Sequence, residues 1–521
     1  MIRRRDLLIG LPAVAAVRQP QRHSSAPQPS TLTFGQATGA FTLDPVHGSF
    51  TLDPGGTQAA LCLYDGLLSF DAAMRVIPQL ANSYEMADNL MSCRLKLRPR
   101  ARFHDGTPVD ADAVKLNLER LMSKQRNPTN RQLWDKLTAV ETPDPGTVII
   151  HNSAPYHDLP NALAHPSGVL VSPAAVETFG DLAIATNPIG AGPYRLASFD
   201  RGRHLELEAF EGYWAGRPDT TRLIFETIPE PTTRVESLRA NRIQIIDAVP
   251  IALARELEMD PTIKLTTVPG LRTMGFAINL TKPPLADRRV REALNLATPV
   301  EAIVTSVFAG YARVPDSPLA FNTIGYAPIR PLTHDPAKAR TLLAEAGFGP
   351  RHKLRLALLT SDGLFPADAK VADMVAAGLR DAGVEPTVTR IKGDAYWDAL
   401  RQARARLRWD IALFSFAPAN ASGLHHLTSL FRSNRDDATI PDTWNISRYR
   451  NKEVDRLLDA AGTTADPTAW QASLAQAQAL IWQDAPTIWL PVVEHLSATR
   501  ATVDGLELWP AGFTVLRHVV G

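Results

Sequence analysis

Only two cysteines, Cys62 and Cys93, occur in 521 residues. That excludes a scaffold stapled by several disulfides, and no C-x-x-C redox or zinc motif is present. The two could bond in an oxidising compartment, but sequence does not place them within bonding distance. Two buried thiols packing as small hydrophobes is the favoured reading. An excess of charge is equally lacking: 55 Lys and Arg face 54 Asp and Glu, a net charge of +1. That balance gives no reason to invoke nucleic acid or an anionic membrane surface. There is no G-x-S-x-G elbow and no H-E-x-x-H pair, and no spacing of acids singles out an acid/base couple, so a secreted hydrolase is disfavoured. No segment is apolar for the ~20 residues that a spanning helix needs.

What is present is a long, ordinary globular composition, 45% hydrophobic and 21% charged. Single cores stop growing beyond ~250–300 residues, so two or three domains are expected. The 41 prolines lie between apolar periodic segments and mark irregular connections rather than disorder. Residues 1–30 read as an export signal and tether. Arg3, Arg4 and Arg5 precede a short apolar run with small residues suited to cleavage. Arg4–Arg5–Asp6–Leu7–Leu8 fits a twin-arginine signal, and an ordinary secretory signal would look similar. Gln19 to Ser30, rich in Pro, Gln and Ser, suits a flexible linker.

The most informative stretch runs to Arg120. Arg94 to Arg98 alternates polar and apolar, the mark of a half-buried strand. Asp105–Gly106 is a turn dipeptide and Pro108 stops the turn from running on as a strand. Asp110 is placed to cap a helix whose face carries Val114, Leu118 and Leu121. Downstream, NPIGAGPYRL at Asn187–Leu196 has glycines for tight backbone turning, and a strand starts at Tyr194. A phosphate cradle is disfavoured there, since neither the Walker spacing nor a lysine follows. A capping box is read at Thr298–Pro299–Val300–Glu301. Strand at Leu354–Leu359, helix at Ala369–Ala382 and strand at Val384–Arg390 give a βαβ rhythm, hence a parallel or mixed sheet.

LYDGL at Leu63–Leu67, PQLANSYE at Pro78–Glu85, FHDGTP at Phe103–Pro108 and NPIGAGPY at Asn187–Tyr194 follow one another in a characteristic order. Together they resemble the extracellular solute-binding proteins of family 5, receptors of bacterial importers for oligopeptides, dipeptides, nickel and related chelates. Asp65 replaces the usual Glu and Tyr84 the usual Trp. GFAIN at Gly275–Asn279 and LADRRVREAL at Leu285–Leu294 are similar to the family's strand and helix at the start of its third domain, which implies a helix over Leu285–Leu294, and the resemblance extends from about Thr31 to Gly521. It implies an α/β, two-lobed periplasmic-binding-protein type II fold, with three domains, mixed sheets flanked by helices and a hinged cleft. Mapped here, domain I is discontinuous, 31–54, 186–265 and 485–521. Domain II is the insertion 55–185, and domain III, the second lobe, is 266–484. The implied function is capture of a short peptide or peptide-like solute, or a metal chelate, for a membrane permease with cytoplasmic ATPases. A sensor or chaperone role is the alternative. A monomer in the periplasmic or extracytoplasmic space is implied, with no cofactor and no lipid-anchoring cysteine.

A closing cleft removes solute from water, so it needs aromatic walls and paired charges. Arg131 and Trp134 keep the spacing of a carboxylate-binding Arg and a pocket Trp in the nickel branch. The alternative for them is an exposed Arg and a core Trp. His165 falls where that branch has a second Arg, and a neutral His would hold an anion more weakly. Tyr396 matches a cleft tyrosine, or else packs its helix onto the sheet. In Phe414–Arg432, FSFAPANASGLHHLTSLFR, the resemblance points to Phe416 for stacking and to Asn420 and His425 as polar groups. This stretch lacks the Asp that pairs with a peptide amine in peptide-binding relatives. His425 and His426 suggest a metal site, but adjacent histidines point apart and no third ligand is visible, so loop histidines without metal are expected.

Overall fold

The structure is a computed structural model that describes residues 30–47, 53–123, 131–393, 395–401, 407–435 and 443–521. The export signal and Asn130 therefore lie outside the described residues. Three sheets organise the chain. The largest gathers Thr31–Gln36 with Tyr194–Asp200, His204–Ala209, Arg222–Thr227, Ile245–Ile246, Ile263–Pro269 and Val492–Arg500. Thr31–Gln36 runs parallel to Arg222–Thr227 and to Ile245–Ile246, while the other pairings are antiparallel.

A second, antiparallel sheet holds Ala81–Met86, Ser92–Leu97, Thr147–Asn152 and Leu137–Asp144. Its alternation is visible in burial, with Cys93, Leu95 and Leu97 inward and Arg94 and Lys96 outward. Helix Ala111–Met122 covers it, capped by Asp110, whose Oδ1 accepts from the Ala113 N–H at 2.9 Å. Val114, Leu118 and Leu121 are its buried stripe, as the spacing predicts.

The third sheet orders Glu385–Ile391, Arg355–Ser361, Ile411–Phe416, Thr273–Ile278 and Thr487–Leu490. Arg355–Ser361 is parallel to both of its neighbours, and the helix Asp368–Asp381 makes the crossover. Its central strands are apolar on both faces because helices cover them. A helical layer of Gly423–Phe431, Lys452–Thr463 and Pro467–Asp484 packs its own core around Leu427, Leu457 and Ile481. The chain leaves the first sheet after Pro269 and enters the third at Thr273. It leaves the third after Leu490 and re-enters the first at Val492. Two short crossings thus lie side by side, the geometry of a hinge between lobes.

Three expectations change. The helix expected over Leu285–Leu294 is two, Pro283–Ala286 and Arg288–Leu296, because Asp287 stops the first and caps the second through the Arg289 N–H. The capping box at Thr298–Glu301 does not form. The Thr298 hydroxyl donates back to the Leu294 carbonyl at 3.0 Å, so helix Val300–Ser306 starts without a side-chain cap. His425 and His426 sit on a helix, not a loop.

Candidate functional site

The sequence motifs converge on one buried junction. Asp65 is fully buried and accepts from Arg517 at 3.0 Å, from the Trp214 indole at 2.6 Å and from the Gln79 amide. Arg98 lies over the Trp214 ring, 4.5 Å from its centre. His104 of the FHDG turn reaches the NPIGAG loop, with Nε2 3.1 Å from the Gly192 carbonyl and Nδ1 accepting from the Gly190 N–H. Burial holds this imidazole down to about 4. A Cβ on Gly190 would lie 2.1 Å from the Leu63 carbonyl oxygen. That position needs glycine because two backbones touch there. At this internal junction the Asp65 carboxylate is filled from three sides, while Arg517 Nε has no partner among the described residues; the junction positions the lobe.

A different set of residues meets where the lobes touch. The loop before helix Gly423–Phe431 presses on the other lobe, and its Ala421, at φ +56°, is buried among first-lobe residues. The Asn161 amide donates to the Asn420 carbonyl at 3.0 Å. The Ser422 hydroxyl donates to the Asp158 carboxylate. That places an anion at the start of a helix, where the free N–H groups and the macrodipole favour it. Gln132 Nε2 lies 3.3 Å from His425 Nε2, and the His157 ring stacks on Trp470 at 4.8 Å. On the second-lobe side, Phe416 packs against both His425 and His426, and His426 Nε2 is 3.2 Å from the Thr273 hydroxyl. Phe414, Phe416, Phe431, Trp444 and Trp489 line an apolar recess beside this seam.

Residues 75–438 match the family model for the middle region of bacterial extracellular solute-binding proteins, family 5. The chain belongs to that family. It is 31% identical over 456 residues to the glutathione-binding protein GsiB of Pectobacterium atrosepticum, covering 87% of each chain. It is 32% identical over 461 residues to GsiB of Escherichia coli, covering 87% of this chain and 88% of that one. The ABC transporter substrate-binding protein CtaP of Listeria monocytogenes superposes with a TM-score of 0.83 at 22% identity, over 94% of this chain and 99% of that one. The type II periplasmic-binding-protein fold follows from such likenesses. Family 5 proteins are the extracytoplasmic substrate-binding components of ABC importers, and they bind solutes rather than turn them over.

In this family 5 protein the structure brings some of the expected site residues to the seam and not others. His425, Phe416 and Asn420 are there. His165 is buried close by; its Nδ1 accepts from the Ser167 N–H at 3.0 Å and faces the Ser167 hydroxyl at 2.8 Å. Arg131 is half exposed and turns to Asp135 at 2.8 Å, an i,i+4 surface pair. Trp134 is a core side chain of the first lobe, its indole N–H without a protein partner. Tyr396 is wholly buried in the second-lobe core, its hydroxyl donating to the Leu413 carbonyl. For Arg131, Trp134 and Tyr396 the arrangement is therefore the surface-and-core alternative. Among the described residues no three His, Cys, Asp or Glu side chains gather to hold a metal. Cys62 and Cys93 are free and buried, and burial pushes both thiols up to about 12.

The seam's electrostatics follow from burial. It lowers His165 to about 3, helped by the nearby His425. His425 falls to about 4, with Asp158 pulling the other way, and His426 to about 3. All three imidazoles are neutral at pH 7 and can each give one hydrogen bond and accept another. His426 Nδ1 and Asn420 Nδ2 are buried with no protein partner among the described residues. Sequence reasoning missed Asp158, Asn161, Ser422 and His157. Their partners lie 259 to 313 positions away, and no local pattern marks them.

Proposed function

We propose that this protein captures a short peptide or peptide-like solute of the glutathione class between its lobes and delivers it to an ABC permease. The observation that carries this reading is identity of 31–32% across 87% of the chain to proteins named for binding glutathione. The chemistry of the seam is compatible with it. Neutral imidazoles and side-chain amides pair with peptide N–H and C=O groups, and the apolar recess suits a side chain or a thiol. Capture works by population shift: the guest adds contacts that exist only when the lobes meet, so binding favours the closed form.

The finer parts of the proposal rest on the sequence. The chain leaves the cytoplasm on a twin-arginine signal, acts as a monomer and releases its guest unaltered. Its working division is domain I at 31–54, 186–265 and 485–521, domain II at 55–185 and domain III at 266–484. The first sheet draws on all three stretches, with the chain crossing between sheets after Pro269 and after Leu490 rather than at 265 and 485. The test is isothermal titration of protein stripped of bound solute by unfolding and refolding. Probes are reduced and oxidised glutathione, di- and tripeptides, and nickel with histidine. Binding near or below ~1 µM, about −8 kcal/mol, is expected for glutathione or a short peptide. Heat with nickel–histidine alone, or with no probe, would overturn the reading.

A further inference from the structure

We propose that Arg272 is the anchor for a ligand carboxylate at the root of the cleft, with His495 beside it as acceptor for a neighbouring ligand N–H. This rests on the peptide-like reading above. Arg272 occupies the first crossing between lobes. Leu271 before it is buried in the first-lobe core, its N–H donating to the Pro510 carbonyl at 2.9 Å. Thr273 after it bonds His426 in the second lobe.

Other interior arginines of this chain each reach several carbonyls or an acid, although Arg517 Nε has no partner among the described residues. Arg234 donates to the carbonyls of Ile228, Asp247 and Ala248, Arg291 to those of Leu285, Ala286 and Asp484, and Arg517 to Asp65. Arg272 has a single long hydrogen bond, to the Ser415 hydroxyl at 3.4 Å, and no carboxylate partner among the described residues. Burial lowers its proton affinity with no nearby acid to oppose it. A guanidinium carries five N–H donors in a planar fork. Its remaining donors are only partly shielded and meet no acid among the described residues, and a bidentate carboxylate is the partner that fits such a fork.

His495 makes the second half of the pair. Its ring bonds the Pro510 carbonyl through one nitrogen, while Nε2 is buried with no partner among the described residues. Burial and the Arg272 charge hold it down to about 4, so it is neutral. Nε2 is then the lone-pair nitrogen. Gly270 and Gly512 flank the ring; a Cβ on either would come within 2.9 Å of it. A cation beside a lone pair selects a carboxylate with an adjacent N–H. Glutathione offers this twice, at its glycine end and at the α-carbon of its glutamyl end.

The test is calorimetry at pH 7.5 with glutathione, its glycine amide and its glutamyl α-amide, on wild type, Arg272→Gln and Arg131→Gln. Wild type should bind one of the two amides about 30-fold or more weaker than glutathione, and which one tells which end sits on Arg272. Arg272→Gln should shrink that difference to about threefold. Full discrimination retained by Arg272→Gln, or lost in Arg131→Gln instead, overturns the proposal. So does a wild type indifferent to both amides. A wild type that binds none of the three overturns the peptide-like reading itself, and this inference with it. The ligand-free melting temperature of Arg272→Gln supplies a second reading. An unchanged or higher value is expected when a cation without an acidic partner is removed, and then loss of all binding also supports the anchor. A marked fall would make Arg272 structural and overturn the role.

Discussion

At the junction of Asp65, Trp214 and Arg517 the carboxylate is filled from several sides within one lobe. Along the seam, Asn420, His426, His495 and Arg272 hold donors and acceptors with little or nothing to bond in the protein. Both regions are buried and both are polar. The first has the signature of folding: removing any member strands its partners. The second leaves bonding capacity unmet, which under the proposed function a guest would fill. The motifs that reveal the family belong to the first region. The residues that would choose the solute belong to the second, which explains why family membership was easy to read and ligand identity was not.

The comparison can be broken at either side. Asp65→Asn should cost about 3–5 kcal/mol of stability, because it leaves the buried Arg517 without its anion. Urea denaturation measures this, and affinity of the folded fraction should stay put. A cost below about 1 kcal/mol would place that ion pair outside the folding core. Asp158→Asn should do the reverse. It weakens a charge-assisted bond made only when the lobes meet, so affinity should drop by about 1.5–3 kcal/mol with little change in ligand-free stability. Equal losses in both would erase the distinction between regions.

Protons sharpen the same contrast. His425 faces His165, His426, Gln132 and Asp158 at the seam, where meeting of the lobes would bury it. Its folded value is depressed to about 4 from an ordinary value near 6.5. The open or unfolded form therefore binds the proton first as pH falls. Closed-state stability is complete above about 6.5 and is lost progressively towards 4, so affinity should fall by up to about tenfold per pH unit in that window. A flat affinity from pH 7.5 to 5 would mean that closure does not bury His425. The smallest effect is expected at Arg131. Its half-exposed pair with Asp135 is worth about 0–1 kcal/mol, so Arg131→Ala should leave calorimetric affinity nearly unchanged. A loss of about 2–5 kcal/mol would restore it as a carboxylate anchor.

Much of the architecture was legible because it is local. Alternation over Arg94–Arg98, the cap at Asp110 and the βαβ run from Leu354 to Arg390 all follow from spacing. The break at Asp287 was missed because a cap inside an apolar-periodic run does not disturb the period. Phe416, Asn420 and His425 were found through resemblance. Arg131 and Trp134 were drawn in by the same route, and the spacing holds while the side chains turn elsewhere. Arg272 and Asp158 had no sequence signal, since an arginine's lack of a partner shows only in three dimensions.

The most direct test of lobe-gated capture is a bridge across the seam. Gln132→Cys and His425→Cys, joined by a short bis-maleimide, would tie the lobes where those side chains approach. The native thiols at Cys62 and Cys93 are buried and held protonated, so they do not compete. Radiolabelled S-methylglutathione, which has no thiol to consume the maleimide, should be trapped when bound before bridging, and protein bridged empty should not take it up. Uptake and release at the same rates before and after bridging would contradict capture between the lobes.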